Sequence, residues 1–182
     1  MPSQTAGQNT LLRNKQALVT GATGTLGSAI ARNLAAAGAH VFIHFKSNAK
    51  KAALLVKEIC DQQGRATSIH ADLGSQDDVA QMMKTAGTLD ILVNNAGIFP
   101  TAPLLDMTEK EWREMFQANS DAVFYCTQKA AQLMKAAGGG SIINIASISG
   151  SIPGPHHSHY NSSKAAVIMF TRSAAQELGP YN

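Results

Sequence analysis

Short apolar runs and longer amphipathic stretches alternate along the chain after about a dozen polar and small residues. Apolar runs bounded by glycine or polar residues predict buried strands, and apolar positions three or four apart predict helices. The predicted strands are residues 17–20, 40–45, 66–71, 89–95 and 141–146. The predicted helices are residues 26–37, 49–63, 76–85, one long helix over 108–134, and 159–178.

This alternation predicts an α/β protein with a doubly wound (Rossmann) parallel sheet and helices on both faces, because crossovers between parallel strands need a helix. Thr108 and Glu111 have the spacing of a capping box, and Gly179 with Pro180 ends the final helix. The chain ends directly after that helix, so we expect the last strands of the sheet to be missing. We predict a nucleotide-binding domain over residues 12–182, incomplete at its C-terminus, behind a flexible tail over residues 1–11.

Composition excludes several classes of function. Fifteen Lys and Arg against twelve Asp and Glu leave a net charge of +3, so we expect no nucleic acid partner. No apolar stretch approaches the roughly 18 residues of a membrane span, and the start lacks the apolar core of a signal peptide. Cys60 and Cys126 fall in apolar helical patterns without CxxC spacing, which predicts buried thiols, no metal site and a cytoplasmic location.

Polar residues and glycines follow the predicted strands, at the edge where ligands gather in an open parallel sheet. They are Gly21, Gly24 and Gly27 after the first strand, Phe45 and Lys46 at the second, Asp72 at the third, Asn94 and Asn95 at the fourth and Ser147 at the fifth. Their recurrence at all five strand ends is hard to explain by packing. Asp72 fits a helix N-terminal acid and a contact to adenine equally well, and the two asparagines could equally satisfy turn backbone.

The first strand end predicts a dinucleotide site. A glycine-rich loop lets the backbone approach a pyrophosphate, and the following helix offers free N–H groups and a partial positive charge. A simple strand-to-helix turn is the alternative interpretation. At the second strand end, enzymes that use NAD commonly carry an acid for the ribose 2′-hydroxyl, whereas this chain has Phe45 and Lys46. We therefore expect NADP(H) to be favoured over NAD(H), with a solvated surface lysine as the alternative interpretation of Lys46.

Tyr160 and Lys164 are four residues apart at the start of the last predicted helix, so they share one face. A tyrosine phenol is a poor base at neutral pH, and a neighbouring ammonium favours the phenolate. Such a pair can move a proton to or from a carbonyl or hydroxyl oxygen while a nicotinamide carries the hydride. This spacing alone is typical of an ordinary exposed pair, but Ser147 thirteen residues upstream and the glycine loop favour catalysis.

Together these motifs resemble the short-chain dehydrogenase/reductase family over residues 12–182. TGATGTLG (20–27) is similar to the cofactor loop of that family, NNAG (94–97) to its sheet-stabilising motif and YNSSK (160–164) to its YxxxK signature. The resemblance implies a general acid/base at Tyr160 and a lysine, Lys164, that favours the phenolate and binds the nicotinamide ribose. It also implies that Ser147 hydrogen-bonds the substrate oxygen and that Asn119 holds a water in the proton relay. The implied cofactor contacts are Gly21, Thr23, Gly24, Thr25, Leu26, Gly27, Phe45, Lys46, Asp72, Leu73, Asn95, Ala96, Gly97, Tyr160 and Lys164.

Three features depart from the family pattern. Thr25 stands where the usual TGxxxGxG loop has its middle glycine, and Gly24 precedes it, a spacing more like that of the extended members. The segment between Asp77 and Leu89 is shorter than usual, which predicts a trimmed third helix. The chain also lacks the two further strands, the proline-glycine segment and the mobile substrate loop with which family members continue.

We expect an oxidoreductase that transfers hydride between NADP(H) and a small-molecule carbonyl or secondary alcohol. A 3-oxoacyl-thioester reductase and a sugar or polyol dehydrogenase are both compatible with the sequence. The alternative is a truncated, catalytically inactive fragment that binds a nucleotide or a partner chain. The intact set of Asn119, Ser147, Tyr160 and Lys164 argues against that alternative.

Two further features bear on binding. His156, His157 and His159 could touch a substrate or bind a metal, but no carboxylate or cysteine accompanies them, and we favour loop or surface positions. The helices that contain Asn119 and Tyr160 carry broad apolar faces, which in the resembled family pair across a dimer axis. We therefore expect a homodimer or homotetramer.

Overall fold

Five parallel strands form one sheet in the computed structural model, which describes residues 11–181. The strands are β1 (Gln16–Val19), β2 (His40–Phe45), β3 (Arg65–His70), β4 (Ile91–Asn94) and β5 (Ser141–Asn144). Their order across the sheet is β3-β2-β1-β4-β5, and Ala17 of β1 lies between Val41 of β2 and Ile91 of β4. Residues 1–10 of the predicted N-terminal tail lie outside the described residues.

Helices cover both faces of this sheet, so the predicted doubly wound α/β fold is confirmed. They are α1 (Thr25–Ala36), α2 (Ala49–Asp61), α3 (Gln76–Ala86), α4 (Glu109–Phe116), α5 (Ala122–Ala137) and α6 (Ser158–Leu178). Leu18 of β1 packs in the core beneath α3 and α5, whereas Ala17 and Val19 pack beneath α1 and α2. All three side chains are fully buried, because a central parallel strand has no solvent face.

The long helix predicted over residues 108–134 is present, but it contains a π-helical turn that the spacing did not predict. Helix α4 ends at Phe116, a π-helical segment (Gln117–Asp121) follows, and α5 then continues to Ala137. The capping box at the start of α4 is confirmed, since Thr108 Oγ1 accepts a bond from the Glu111 N–H at 3.2 Å and the Glu111 carboxylate accepts one from the Thr108 N–H at 2.8 Å. The interruption carries a buried polar residue, Asn119, and π-helical turns are frequent at functional sites.

The prediction for Cys60 is wrong, because this thiol is exposed while Cys126 is buried. The buried stripe of α2 consists of Ala52, Leu55 and Ile59, and Cys60 lies one position beyond it. Burial raises the pKa of the Cys126 thiol to about 12. Within residues 11–181, no helix has the length and apolar character needed to cross a membrane.

The sheet has its topological switch point between β1 and β4. The chain runs outward from β1 to β2 and β3, and then crosses to β4 on the other side of β1. Thr20 joins the two central strand ends, since its N–H donates to Val93 O at 2.9 Å and its Oγ1 accepts from the Asn95 N–H at 2.9 Å. In open α/β sheets the ligand-binding crevice forms at this position.

Candidate active site

A cleft of about 640 Å³ opens at the carboxyl ends of β1, β2, β3 and β4. Every predicted cofactor contact lines this cleft except Tyr160 and Lys164. The cleft also has lining residues that the sequence did not predict, namely His44, Ser47, Gly74, Ile98, Glu114, Gln117, Ala118 and Ala122. The strand-end residues identified from the sequence therefore converge on one crevice.

Two positions in the floor of the cleft are glycine, and neither has room for a side chain. Gly21 has φ of +60°, and a Cβ placed on it would lie 2.8 Å from Ala96 Cα. A Cβ on Gly27 would lie 2.5 Å from the Gly21 carbonyl oxygen and 2.6 Å from Asn95 Nδ2. Thr25 begins α1, so the loop reaches its helix without a glycine at that position.

The start of α1 is suited to an anionic group. Gly24 precedes the helix, no side chain caps the N-terminal N–H groups, and the first turn carries no acidic residue. Uncapped N–H groups at a helix N-terminus attract phosphate. The close backbone approach at Gly21 and Gly27 together with these free donors fits the pyrophosphate of a dinucleotide.

The outer end of the cleft carries an ion pair. Lys46 Nζ lies 2.8 Å from Asp72 Oδ2, and Asp72 Oδ1 accepts a bond from the Gly74 N–H at 3.0 Å. The Lys46 ammonium, followed by the Gly74 N–H, holds the pKa of Asp72 below its ordinary value. Asp72 thus stabilises the turn after β3 and lines the cleft, whereas the acids in the first turn of α3 are Asp77 and Asp78. The contact to adenine stays a prediction.

At the inner end, two buried polar side chains meet the cleft at Gly97. Asn119 is fully buried, its Oδ1 accepts from the Ile98 N–H at 2.8 Å, and its Nδ2 donates to Ile98 O at 3.0 Å. A Cβ on Gly97 would lie 2.9 Å from Asn119 Oδ1 and 3.8 Å from Lys164 Nζ. The absence of a side chain at Gly97 therefore lets the Asn119 amide pack directly against the backbone that lines the cleft.

Lys164 is held in place by a backbone carbonyl. Its Nζ donates to Ile145 O at 2.8 Å, and burial lowers the pKa of the ammonium. The same nitrogen lies 5.9 Å from the centre of the Tyr160 ring. Phe99 meets that ring edge-on, with centroids 4.4 Å apart, so the Tyr160 ring contacts one aromatic side chain and lies near the ammonium.

Ser147 lies on a short turn against the same helix. Its Oγ accepts a bond from the Ser149 N–H at 3.1 Å and caps a 3₁₀ turn (Ile148–Gly150). A Cβ on Gly150 would lie 2.8 Å from the carbonyl carbon of Lys164, so this turn packs directly on α6. The turn that carries Ser147 therefore packs against the helix that carries Tyr160 and Lys164.

The two asparagines of the NNAG segment connect the strands. Asn94 Nδ2 donates to Asn144 Oδ1 at 2.8 Å and to Thr127 Oγ1 at 3.1 Å, linking β4 to β5 and α5. Asn95 Nδ2 donates to Thr20 O at 2.9 Å. Their amides therefore satisfy backbone and side-chain partners beneath the cleft.

The surface position expected for His159 is wrong. His156 is exposed, and His157 stacks on Phe99 at 4.5 Å, but His159 is fully buried on α6. Burial lowers the pKa of His159, and Glu111 acts in the opposite direction. Within the described part of the chain, no group of three or more His, Cys, Asp or Glu side chains could hold a metal ion.

Comparison with known sequences identifies the class of protein. The sequence profile described as short chain dehydrogenase matches residues 15–182. The 3-oxoacyl-[acyl-carrier-protein] reductase of Synechocystis sp. is 38% identical over 173 residues, covering 93% of this chain and 70% of that protein. The reductase of the same name from Staphylococcus aureus is 39% identical over 168 residues, covering 90% and 68%. The chain belongs to the short chain dehydrogenase family, a family of oxidoreductases.

Solved structures agree with this assignment. A 7α-hydroxysteroid dehydrogenase in complex with NADH and 7-oxo glycochenodeoxycholic acid superposes with a TM-score of 0.91 at 34% identity, covering 96% of this chain and 69% of that one. A gluconate 5-dehydrogenase from Burkholderia cenocepacia in complex with NADP and tartrate superposes with a TM-score of 0.89 at 33% identity, covering 96% and 70%. Nothing in these comparisons supports the alternative of an inactive fragment.

Proposed function

We propose that the chain reduces a carbonyl compound, or oxidises the corresponding secondary alcohol, with NADP(H) bound in the cleft. One observation carries this proposal: Gly97 lines the cleft, and a Cβ built on it would lie 2.9 Å from Asn119 Oδ1 and 3.8 Å from Lys164 Nζ, so both groups lie next to the cleft. A nicotinamide bound at this inner end would accept or deliver the hydride. The proton-handling side chains would then lie beside the reacting carbon.

The residues of α6 would handle the proton. Tyr160 would donate its hydroxyl proton to the carbonyl oxygen in reduction and recover it in oxidation. Lys164, fixed by Ile145 O at 2.8 Å, would stabilise the phenolate by its positive charge. Ser147 would hydrogen-bond the substrate oxygen, and Asn119 would hold a water that connects Lys164 to solvent. Tyr160 and Lys164 would also contact the nicotinamide ribose.

The preference for NADP(H) over NAD(H) follows from charge at the outer end of the cleft. Phe45 and Lys46 occupy the end of β2, where an acid would repel a 2′-phosphate. Lys46 pairs with Asp72 at 2.8 Å, but its side chain keeps 65% of its surface exposed. It can therefore turn toward a phosphate without first leaving a buried position. The solved relatives include one with NADH and one with NADP, so this local charge is the discriminating feature.

For the substrate, we propose a 3-oxoacyl thioester, with a sugar or polyol as the second candidate. The relatives at 38–39% identity are 3-oxoacyl-[acyl-carrier-protein] reductases, which favours the thioester. The second candidate has the support of the gluconate 5-dehydrogenase fold match at 33% identity.

We further propose that the protein forms a homodimer or homotetramer. Phe124 on α5 and Met169 on α6 are 42% and 59% exposed, and exposed apolar side chains on adjacent helices are typical of protein interfaces. Sedimentation velocity would test this, because a species of 19.2 kDa at micromolar concentration would contradict it. The cytoplasmic location and the boundaries of the domain stay predictions.

The proposed function is tested by titrating the chain with NADPH and NADH and then assaying NADPH oxidation with a panel of 3-oxoacyl thioesters, ketoses and simple ketones. We expect tighter binding of NADPH and turnover of a thioester. Tyr160→Phe should reduce turnover by about a hundredfold to ten-thousandfold, the usual contribution of a general acid, while NADPH binding changes little. Tyr181→Phe, remote from the cleft, is the matched control. Normal turnover by Tyr160→Phe would disprove the catalytic assignment.

A further inference from the structure

The His44 side chain lies beneath the glycine loop and bonds to it, although the strand-end pattern does not include this residue. It occupies the penultimate position of β2 and is 2% exposed. Its Nδ1 lies 3.0 Å from the Gly21 nitrogen, and its Nε2 lies 3.1 Å from Ala71 O. One imidazole therefore connects the loop after β1 to the end of β3, across the strand that lies between them.

These two contacts define the protonation state of the ring. The Gly21 N–H can only donate, so Nδ1 must carry a lone pair. Ala71 O can only accept, so Nε2 must carry the hydrogen. The geometry therefore requires a neutral imidazole with its proton on Nε2.

The bond to Gly21 matters because the peptide groups of this glycine orient the loop. Its carbonyl oxygen accepts from the Gly24 N–H at 3.1 Å and from Asn95 Nδ2 at 3.2 Å. A second bond, from the Ala22 N–H to His44 O at 3.0 Å, uses only backbone and would survive any substitution at position 44. The His44 side chain is thus the group that accepts the bond from the Gly21 N–H.

We propose that neutral His44 is a positioning residue for the glycine loop, and that adding a proton to Nδ1 releases Gly21 and weakens dinucleotide binding. This inference rests on the proposed function, since it assumes that the cleft binds NADP(H). A proton on Nδ1 would point at another donor at 3.0 Å, so the loop would have to move.

The charges around the ring oppose one another. On β3, His70 disfavours a positive charge on His44, whereas Asp72 after that strand favours it. Lys46 on β2 partly neutralises Asp72 through their 2.8 Å ion pair, and residues 16–27 of β1 and the glycine loop contain no charged side chain. Burial is the largest effect and lowers the pKa of His44. Neutral His44 therefore prevails near pH 7, and the bond to Gly21 is lost as the pH falls through this lowered value.

The proposal is tested by calorimetric titration with NADP⁺ between pH 5 and pH 8, on the unmodified chain and on His44→Asn. Asn Oδ1 can accept from the Gly21 N–H and does not titrate. The readout is the ratio of the two dissociation constants at each pH. The 2′-phosphate of the ligand also titrates, with a pKa of about 6. Its effect on the dissociation constant is the same for both proteins and therefore cancels in the ratio.

We expect the unmodified chain to lose affinity relative to His44→Asn by up to about tenfold on acidification, the effect of one hydrogen bond replaced by a donor-donor contact. His44→Leu, which offers no acceptor, should bind NADP⁺ more weakly at every pH and without the acid step. A third measurement needs no variant: ¹⁵N NMR of the ring without nucleotide should show the hydrogen on Nε2 and a pKa below ~6.5.

The outcomes are distinguishable. A ratio that does not change with pH, or a ring that carries its hydrogen on Nδ1, would overturn the role of His44 while leaving the proposed function intact. An increase in the relative affinity of the unmodified chain at low pH would mean that attraction between a charged imidazole and the phosphates outweighs the lost bond, and would also overturn it. Failure of the unmodified chain to bind NADP⁺ at pH 8 would overturn the proposed function and this inference together.

Discussion

The two halves of the cleft are built differently. The nucleotide side lies over the strands β1, β2 and β3. It consists of the glycine loop (residues 20–27), His44 and the Lys46–Asp72 pair. The main chain determines the shape of this side. The Gly21 N–H is bonded to the His44 ring, and Gly27 packs closely on the Gly21 carbonyl oxygen and the Asn95 amide. The reaction side, consisting of Asn119, Ser147, Tyr160 and Lys164, depends on single side chains presented by helices and turns.

The two sides should also respond differently to substitution. On the nucleotide side, Val19 and Ile43 beneath the loop are fully buried, so added volume has to displace backbone. On the reaction side, Asn119 and Lys164 are themselves buried and act through single polar atoms. A change of shape should therefore affect nucleotide binding, and deletion of a functional group should affect turnover.

The largest expected effect is on the reaction side. Lys164→Met removes the buried ammonium but keeps an unbranched side chain, so the bond to Ile145 O and the charge beside Tyr160 are both lost. We expect turnover to fall by about a hundredfold to ten-thousandfold, as for loss of proton-transfer catalysis, and the NADPH dissociation constant to change much less. Steady-state kinetics and a fluorescence titration measure the two quantities.

Lys50→Met, at an exposed lysine on α2, controls for the loss of one positive charge. Equal losses of binding and turnover in Lys164→Met would contradict the idea that the reaction side mainly determines turnover and the nucleotide side mainly determines binding. They would mean that this lysine acts mainly by holding the nucleotide.

The next effect belongs to the nucleotide side. Gly27→Val places a branched side chain 2.5 Å from Gly21 O and 2.6 Å from Asn95 Nδ2. The loop must shift to relieve this overlap, and overpacking of this kind costs about 1–3 kcal/mol. We expect NADPH affinity to fall by about tenfold to a hundredfold, measured by calorimetry. Gly179→Ala, where nothing lies within 4 Å of the added Cβ, is the matched control, and unaltered affinity of Gly27→Val would show that the loop does not cradle the nucleotide.

A smaller effect concerns the choice between cofactors. Lys46→Glu reverses the charge beside the proposed 2′-phosphate site and leaves Asp72 next to a like charge. We expect the dissociation constant for NADPH to rise about tenfold, or about 1.4 kcal/mol, while that for NADH changes by less than about twofold. The NADPH effect should shrink at high salt, because Lys46 is exposed. Lys50→Glu makes the same change in net charge away from the cleft, and a parallel rise for both nucleotides would disprove specificity at Lys46.

The same contrast explains what the sequence could predict. Residues of the nucleotide side follow directly from strand ends and glycine spacing, because parallel strands end at one edge of the sheet. His44 could have been noticed as a polar residue in an otherwise apolar buried strand. No sequence pattern indicated Gln117, which contacts Gly74 across the cleft. Its position depends on how the end of α4 packs over the turn after β3.

On the reaction side, the sequence predicted which residues take part, but it did not predict how they are arranged. The π-helical segment around Asn119 was missed because its distortion is linked to tertiary bonds, including those with the Ile98 backbone. His159 was placed in a loop or on the surface because no carboxylate or cysteine accompanies the three histidines in the sequence. Contact between α4 and α6 buries it instead. Neither arrangement is encoded in local spacing.

The smallest predicted effect compares stability on the two sides through their helix caps. Thr108 caps α4, which leads to Asn119, with reciprocal bonds to Glu111, whereas Asn48 caps α2 on the nucleotide side with one side-chain bond, to the Lys51 N–H at 3.0 Å. Loss of an N-cap costs about 1 kcal/mol, and we expect Thr108→Ala to lower the free energy of unfolding more than Asn48→Ala, because the Thr108 hydroxyl makes two bonds, accepting from the Glu111 N–H and donating to Glu111 Oε2. Urea denaturation measures both. A larger loss in Asn48→Ala would show that the single bond at the start of α2 contributes more to stability than the Thr108 cap, and would contradict this prediction.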